Sequence, residues 1–223
     1  MAHLSSALAN KERLLSAAKD VFAAIKKSKV QGILVGGAAA VLLGQNRTTR
    51  DVDINVTKFP SFKMFSPEVL YTRKSDWPDM LKVTHRIPGS TRSDLSCDLG
   101  ISKAAVMPLY MKYAKEYEEY PDIKYASLPL LLADKITTCA ERRGVKVVCD
   151  ISDVVFCLEQ LLSFTDFTKM PEDLKSLYTQ EHWVATSRNI KNLYGDDLEY
   201  YQYLMEIAEH FQIPHVPEPT KNE

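Results

Sequence analysis

The chain has 223 residues, 45% hydrophobic and 26% charged, which is enough for one large domain or two small ones with a substantial core. Its net charge of −1 excludes a global field that draws nucleic acid or an anionic membrane, and no stretch approaches the roughly 18 apolar residues of a membrane span. No apolar signal core is evident, and Cys97, Cys139, Cys149 and Cys157 lack CxxC spacing, so they read as reduced core thiols of a cytoplasmic protein.

Residues 1–9 are expected to be loose. Asn10 is expected to cap a helix running to about Lys27, because Leu14, Ala18, Val21, Phe22 and Ile25 recur at helical spacing. Lys26, Lys27 and Lys29 at its end match the helix dipole. Ile33-Leu34-Val35 then reads as a strand buried on both faces. Gly36-Gly37 breaks it, and the missing Cβ atoms allow a tight turn with a bulky group against it. Ala38–Leu43 is helix-former sequence, closed by Gly44. Asp51-Val52-Asp53-Ile54-Asn55-Val56 alternates strictly, which places Asp51 and Asp53 side by side on one strand face.

Two neighbouring carboxylates call for water or a cation. Hard oxygen ligands of this kind suit Mg²⁺, which takes one or two protein carboxylates and completes its shell with substrate phosphates. A glycine turn leading into a helix is a natural phosphate seat, since free N–H groups and the dipole both point there. Arg47 and Arg50 flank two threonines just before the carboxylates. An arginine here either makes charge-assisted bonds to a triphosphate or balances Asp51 and Asp53.

Further along, residues 57–67, with two prolines and several aromatics, predict a loop over the site or an interface. Glu68–Thr72 is a strand candidate, Ser75–Asp79 a cap or turn, and Leu81–Ile87 an alternating strand carrying His85 as a core or rim histidine. Pro88-Gly89-Ser90 predicts a turn. Ser93–Ile101 alternates again, with Leu95, Cys97, Leu99 and Ile101 on one face and Asp94, Ser96 and Asp98 on the other. Tyr110, Tyr113, Tyr117 and Tyr120 predict a tyrosine-lined helix over Leu109–Tyr120, and Ile123–Ala126 a last strand. Ser127 is expected to cap a helix to about Arg143, ended by Gly144, and a second helix is expected over about Asp150–Phe164. Lys135, on the mostly apolar first helix, needs an anionic partner such as a phosphate or a carboxylate. After a linker from Phe164, helices are expected from Pro171, over about Glu181–Tyr194 and over Asp196–Phe211, with a tail from Ile213.

Gly36-Gly37, thirteen intervening residues and Asp51-x-Asp53 together resemble the signature of the DNA polymerase beta-like nucleotidyltransferase superfamily. The LVGGAAAVLLG segment is also similar to tRNA CCA-adding enzymes, while the Arg47–Asp53 loop looks closer to the AbiEii toxin-like nucleotidyltransferases. The resemblance covers about residues 30–160. The fold expected is α/β (α+β): a core with a short mixed sheet over 10–126, a helical region over 127–212, and a flexible tail over 213–223, the final third resting on periodicity alone. The resemblance implies a third carboxylate on the strand beside the Asp51/Asp53 strand, with Asp98 the candidate and Asp94 the fallback. Asp51, Asp53 and Asp98 would be the catalytic and metal-binding residues of a two-Mg²⁺ site. Gly36, Gly37, Arg50 and Lys135 would bind the nucleoside triphosphate.

AbiEii-like enzymes also carry a lysine, an arginine and a lysine-aspartate-x-x-aspartate run after the sheet. Here Lys135, Arg142 or Arg143, and Asp150 with Asp153 match, but Cys149 stands where the run's lysine belongs, which puts a role for Asp150 in doubt. The implied activity is transfer of a nucleoside monophosphate to a hydroxyl of an RNA or tRNA, a protein or a small molecule, with release of pyrophosphate. The CCA-adding pattern fails at Ala39-Ala40-Val41, where those enzymes carry an arginine-aspartate pair. The rival reading is a non-catalytic binding or regulatory protein on the same scaffold. The choice of nucleotide, the acceptor and the oligomeric state are not written in the sequence.

Overall fold

A computed structural model describes residues 2–66, 70–74, 76–86, 94–163 and 171–194. The expected turn at Pro88-Gly89-Ser90, the linker after Phe164, the helix over Asp196–Phe211 and the tail lie outside these residues. The chain divides into two compact units, Met1–Ser127 and Leu128–Glu223.

In the first unit, helix α1 spans Ala2–Lys27, so residues before Asn10 are not loose. No Gly or Pro interrupts them, and nothing stops the helix from extending past its apolar stripe. Asn10 is therefore a buried interior residue and not a cap. Strand β1 (Gly32–Val35) is fully buried, as its apolar run requires. Helix α2 (Gly36–Leu42) begins on the glycine pair itself, two residues earlier than the helix-former run implied. Strand β2 (Asp51–Val56) shows the expected alternation, its aspartates half-buried and its valines and isoleucine buried. Strands β3 (Leu70–Lys74), β4 (Met80–His85) and β5 (Leu95–Ile101) follow. A short 3-10 turn at Phe62–Met64 interrupts the loop before β3.

The tyrosine-rich stretch is not one helix. It is helix α3 (Met107–Lys112) followed by the hairpin β6 (Ala114–Tyr117) and β7 (Tyr120–Ala126). A spacing of three residues also fits two positions facing each other across a two-residue turn. Tyr117 and Tyr120 pair in this way, their rings stacked with centroids 6.3 Å apart. Tyrosine favours strands, and the cross-strand ring contact decides between the two periods.

The sheet is mixed, with strand order β3-β4-β5-β2-β1-β7-β6. β2 runs parallel to β5 and antiparallel to β1, and β4 is antiparallel to β5. Val52, Ile54, Cys97, Leu99, Leu81 and Val83 are buried on one face. α1 packs on this side, pinned by an Asp20–His85 contact of 2.8 Å. The opposite face of β2, β5 and β4 carries the polar residues.

The second unit is helical as described: α4 (Leu128–Glu141), α5 (Lys146–Ser163) and α6 (Gln180–Tyr194), with a 3-10 stretch at Glu172–Leu177. α5 begins four residues before Asp150. The Ser127 hydroxyl is buried without a hydrogen bond, so it does not cap α4 as expected. Buried Trp183 anchors α6, and Thr186 Oγ1 and Asn189 Nδ2 donate to the α4 carbonyls of Ile136 and Cys139. Cys97, Cys139 and Cys157 are buried as expected, but Cys149 is exposed, because the first turn of α5 faces water. Among the described residues no helix is long and apolar enough to cross a membrane.

Candidate active site

Asp51 and Asp53 stand two residues apart on the polar face of β2, as alternation dictates. The parallel pairing of β2 with β5 puts Asp53 directly beside Asp98 and Asp51 beside Ser96. Asp98 thus shares a row with Asp53. Asp94 lies just outside β5, exposed, and is not part of that row. Ser96 Oγ donates to Asp98 Oδ1 at 2.9 Å, and Thr49 Oγ1 donates to Asp51 Oδ1 at 2.9 Å. These hydroxyls fix the carboxylate rotamers.

Gly36 lies next to the end of β1, where Val35 pairs with Asp53. Its φ of +63° is left-handed, and a Cβ there would stand 2.5 Å from Asp53 Oδ2. Only glycine lets the backbone approach the carboxylate this closely. A Cβ on Gly37 would meet Arg47 Nη2 at 3.0 Å and Thr49 Oγ1 at 3.1 Å. The arginine at the glycine pair is therefore Arg47, while Arg50 is exposed.

On the other side of Asp98, Lys82 of β4 pairs with it in register, and its Nζ is 3.7 Å from Asp98 Oδ2. The buried face beneath is apolar. Burial, then the charges of Asp98, Asp53, Asp20 and Asp51, push the Cys97 thiol up to about 12, so it stays protonated and inert at neutral pH.

Lys135, the remaining candidate, lies in the second unit. Its ammonium is buried and sits 2.7 Å from both Asp150 Oδ1 and Asp153 Oδ2. Arg142 Nη1 reaches Asp150 Oδ2 at 3.0 Å. Burial alone would pull the Lys135 pKa down, but Asp153 and Asp150 outweigh it and hold it above the usual lysine value. The anionic partner its apolar setting demanded is this pair of carboxylates.

No family model matches the sequence, and no curated protein matches it. A crystal structure of an antigenic nucleotidyltransferase-like protein from Paracoccidioides brasiliensis is similar to this chain at a TM-score of 0.54. The likeness covers 86% of this chain and 92% of that one, at 17% identity. The fold is nucleotidyltransferase-like. In the sheet, the row Val35–Asp53–Asp98–Lys82 runs across β1, β2, β5 and β4. Arg47 was marked with Arg50 by its place before the carboxylates, whereas Thr49, Ser96 and Lys82 were not singled out as site residues by patterning. Alternation placed Ser96 on the polar face, but the pairing of β4 with β5, which brings Lys82 to Asp98, has no local signal.

Proposed function

We propose that this chain is an Mg²⁺-dependent nucleotidyltransferase that moves a nucleoside monophosphate from a triphosphate to an acceptor hydroxyl. The observation that carries the reading is Gly36, held left-handed against Asp53, with Asp98 beside Asp53 on the next strand. A phosphate-accepting backbone turn and an array of hard oxygen donors then meet at one point.

Asp51, Asp53 and Asp98 are the residues that would hold magnesium. Bound there, the metal would neutralise developing phosphate charge and orient the reacting oxygens. The residues themselves would do the following. The amides at Gly36 and Gly37 seat the triphosphate. Arg47 and Arg50, close in sequence to the carboxylates, offset its charge. Asp98 accepts the proton of the acceptor hydroxyl. Catalysis would rest on positioning and electrostatics, with no covalent intermediate needed. Lys135 belongs to a lysine–carboxylate cluster of its own, so its part in this reading is to hold α4 and α5 together.

One observation favours the second reading, a non-catalytic protein on this scaffold. Among the described residues no three His, Cys, Asp or Glu side chains are already gathered as a ligand set. Against it, Asp51, Asp53 and Asp98 share one face of the adjacent strands β2 and β5, about 4.8 Å apart. Calorimetric titration of the four NTPs, with and without Mg²⁺, decides. We expect Mg²⁺-dependent binding by the wild type and its loss in Asp53→Asn, by at least about tenfold, the worth of a charge-assisted contact. No binding of any NTP by folded protein would overturn the reading in favour of the scaffold.

A further inference from the structure

One end of the sheet in the first unit is both basic and apolar. β1 and β4 begin there, and β2 and β5 end there. Thr57 N donates to Gln31 O at 3.1 Å, Ser102 N to Val56 O at 3.0 Å and Ile101 N to Asp79 O at 2.9 Å, which ties the four strands together along one line. Lys29, Lys58 and Lys103 each stand within two residues of that line, and all three are exposed. Ser61 N donates to Ser28 Oγ at 3.0 Å, which brings exposed Lys27 and Lys63 to the same end. Among the described residues these five lysines have no ion-pair partner. Lys26, by contrast, is neutralised by Asp122 at 2.8 Å. The acids beside the line are Asp76 and Asp79 among the described residues, so positive charge prevails there. The net charge of −1 gives the molecule no global field, and this charge is local.

The exposed apolar surface gathers at the same end. Phe62, Met64, Trp77 and Ile101 are the large hydrophobic side chains exposed among the described residues of the first unit. Trp77 is 72% exposed on the turn that leads into β4, where its carbonyl accepts from Met80 N. Phe62 and Met64 sit on the 3-10 turn, and buried Pro60 and Phe65 root the loop on either side of it. The residues 57–67 that composition marked as a loop or an interface therefore form a supported turn with apolar tips.

Exposed apolar side chains among unpaired lysines mark a contact surface. A nucleic acid offers phosphates to the lysines but nothing for Met64 and Ile101 to pack against. A protein partner needs a contiguous, shape-matched area, whereas these side chains stand on separate turns. A bilayer interface takes dispersed projecting side chains: aromatic rings settle at headgroup depth, and lysines are drawn to anionic headgroups.

We propose that this end of the sheet docks on the surface of a bilayer that carries anionic lipids. Phe62, Met64 and Trp77 enter the headgroup region, and the lysines around them hold the lipid phosphates and carboxylates. The contact is peripheral, and it does not rest on the transfer reading. Val56 lies three residues beyond Asp53 on β2, about 10 Å at roughly 3.3 Å per residue, away from the glycine pair that follows β1. Bilayer binding and NTP binding therefore succeed or fail independently.

The test mixes the full chain with vesicles of phosphatidylcholine alone, and of phosphatidylcholine with an equal share of phosphatidylserine, at about 0.1 M salt. The chain has two tryptophans, and Trp183 is buried, so a change in emission reports Trp77. We expect co-sedimentation with the anionic vesicles only, with a blue shift of the emission and protection of Trp77 from acrylamide. Lys58→Glu combined with Lys63→Glu should weaken binding at least about 25-fold, since each lysine near an anionic surface contributes about fivefold. Phe62→Ser should weaken it about fivefold through lost apolar burial. All three side chains are exposed, so the urea midpoint should match the wild type in both variants. No co-sedimentation, equal binding to neutral vesicles, full binding by the lysine variant, or an unmoved Trp77 emission each overturns the proposal. A fluorescent RNA decamer that binds through Lys58 and Lys63 while vesicles do not also overturns it, and assigns the surface to nucleic acid.

Discussion

Gly36 sets the geometry of the site through the atom it lacks. An alanine there would adopt a left-handed backbone at a cost of about 1–2 kcal/mol. It would also drive a Cβ to 2.5 Å from Asp53 Oδ2. Gly44 offers a control, since its φ is +107° but nothing lies within 4 Å of the Cβ position. We expect Gly36→Ala and Gly44→Ala both to lower the urea midpoint, and only Gly36→Ala to abolish NTP binding by calorimetry. Equal NTP affinity in the two variants would show that the approach to Asp53 carries no function. At this scale much was legible. Strict alternation put Asp51 and Asp53 on one face, and the glycine pair announced a close approach. The choice of Asp98 over Asp94 was not legible, because only the parallel pairing of β2 with β5 fixes which carboxylate stands beside Asp53.

At the scale of elements, α4 and α5 are joined by a buried charge cluster. Lys135, Asp150 and Asp153 are almost fully enclosed, and Arg142 closes one end. Removing one member leaves uncompensated charge, so Lys135→Ala should cost about 3–5 kcal/mol of unfolding free energy. Chemical denaturation at neutral pH measures it; a loss under about 1 kcal/mol would mean the pair is as weak as a surface contact. The pH dependence has a definite sign. The folded Lys135 pKa lies above its unfolded value of 10.5, so the stabilisation is fully present below that pH. It is lost as pH rises through the higher folded value. The alkaline decline in wild-type stability should therefore shrink in Lys135→Ala. The sequence announced that Lys135 needed an anion, yet the partner lies fifteen residues on, on another helix, and only the packing of α4 on α5 selects it.

For the whole molecule, the near-zero net charge limits how any anionic acceptor is held. The net charge of −1 supplies no overall field to release many counterions. With one or two phosphates held by local cations, the slope of log K against log salt should be about −1 to −2. Anisotropy of a fluorescent RNA decamer over a range of salt concentrations checks this. A slope steeper than about −5 would require a basic surface that the −1 charge does not provide overall.

The sequence by itself determined the mixed α/β class, the strand–glycine pair–strand layout and the shared face of Asp51 and Asp53. It also determined the helical character of α4, α5 and α6. Each follows from interactions within a few residues: side-chain alternation, helical spacing and the missing Cβ. The tertiary structure decided what depends on partners far along the chain. It turned the tyrosine stretch into a hairpin, extended α1 to Ala2 and exposed Cys149. It joined Lys135 to Asp150 and Asp153 and aligned Asp53, Asp98 and Lys82 in one row. Register between strands distant in sequence is set by the packing of whole faces, and no local pattern encodes it.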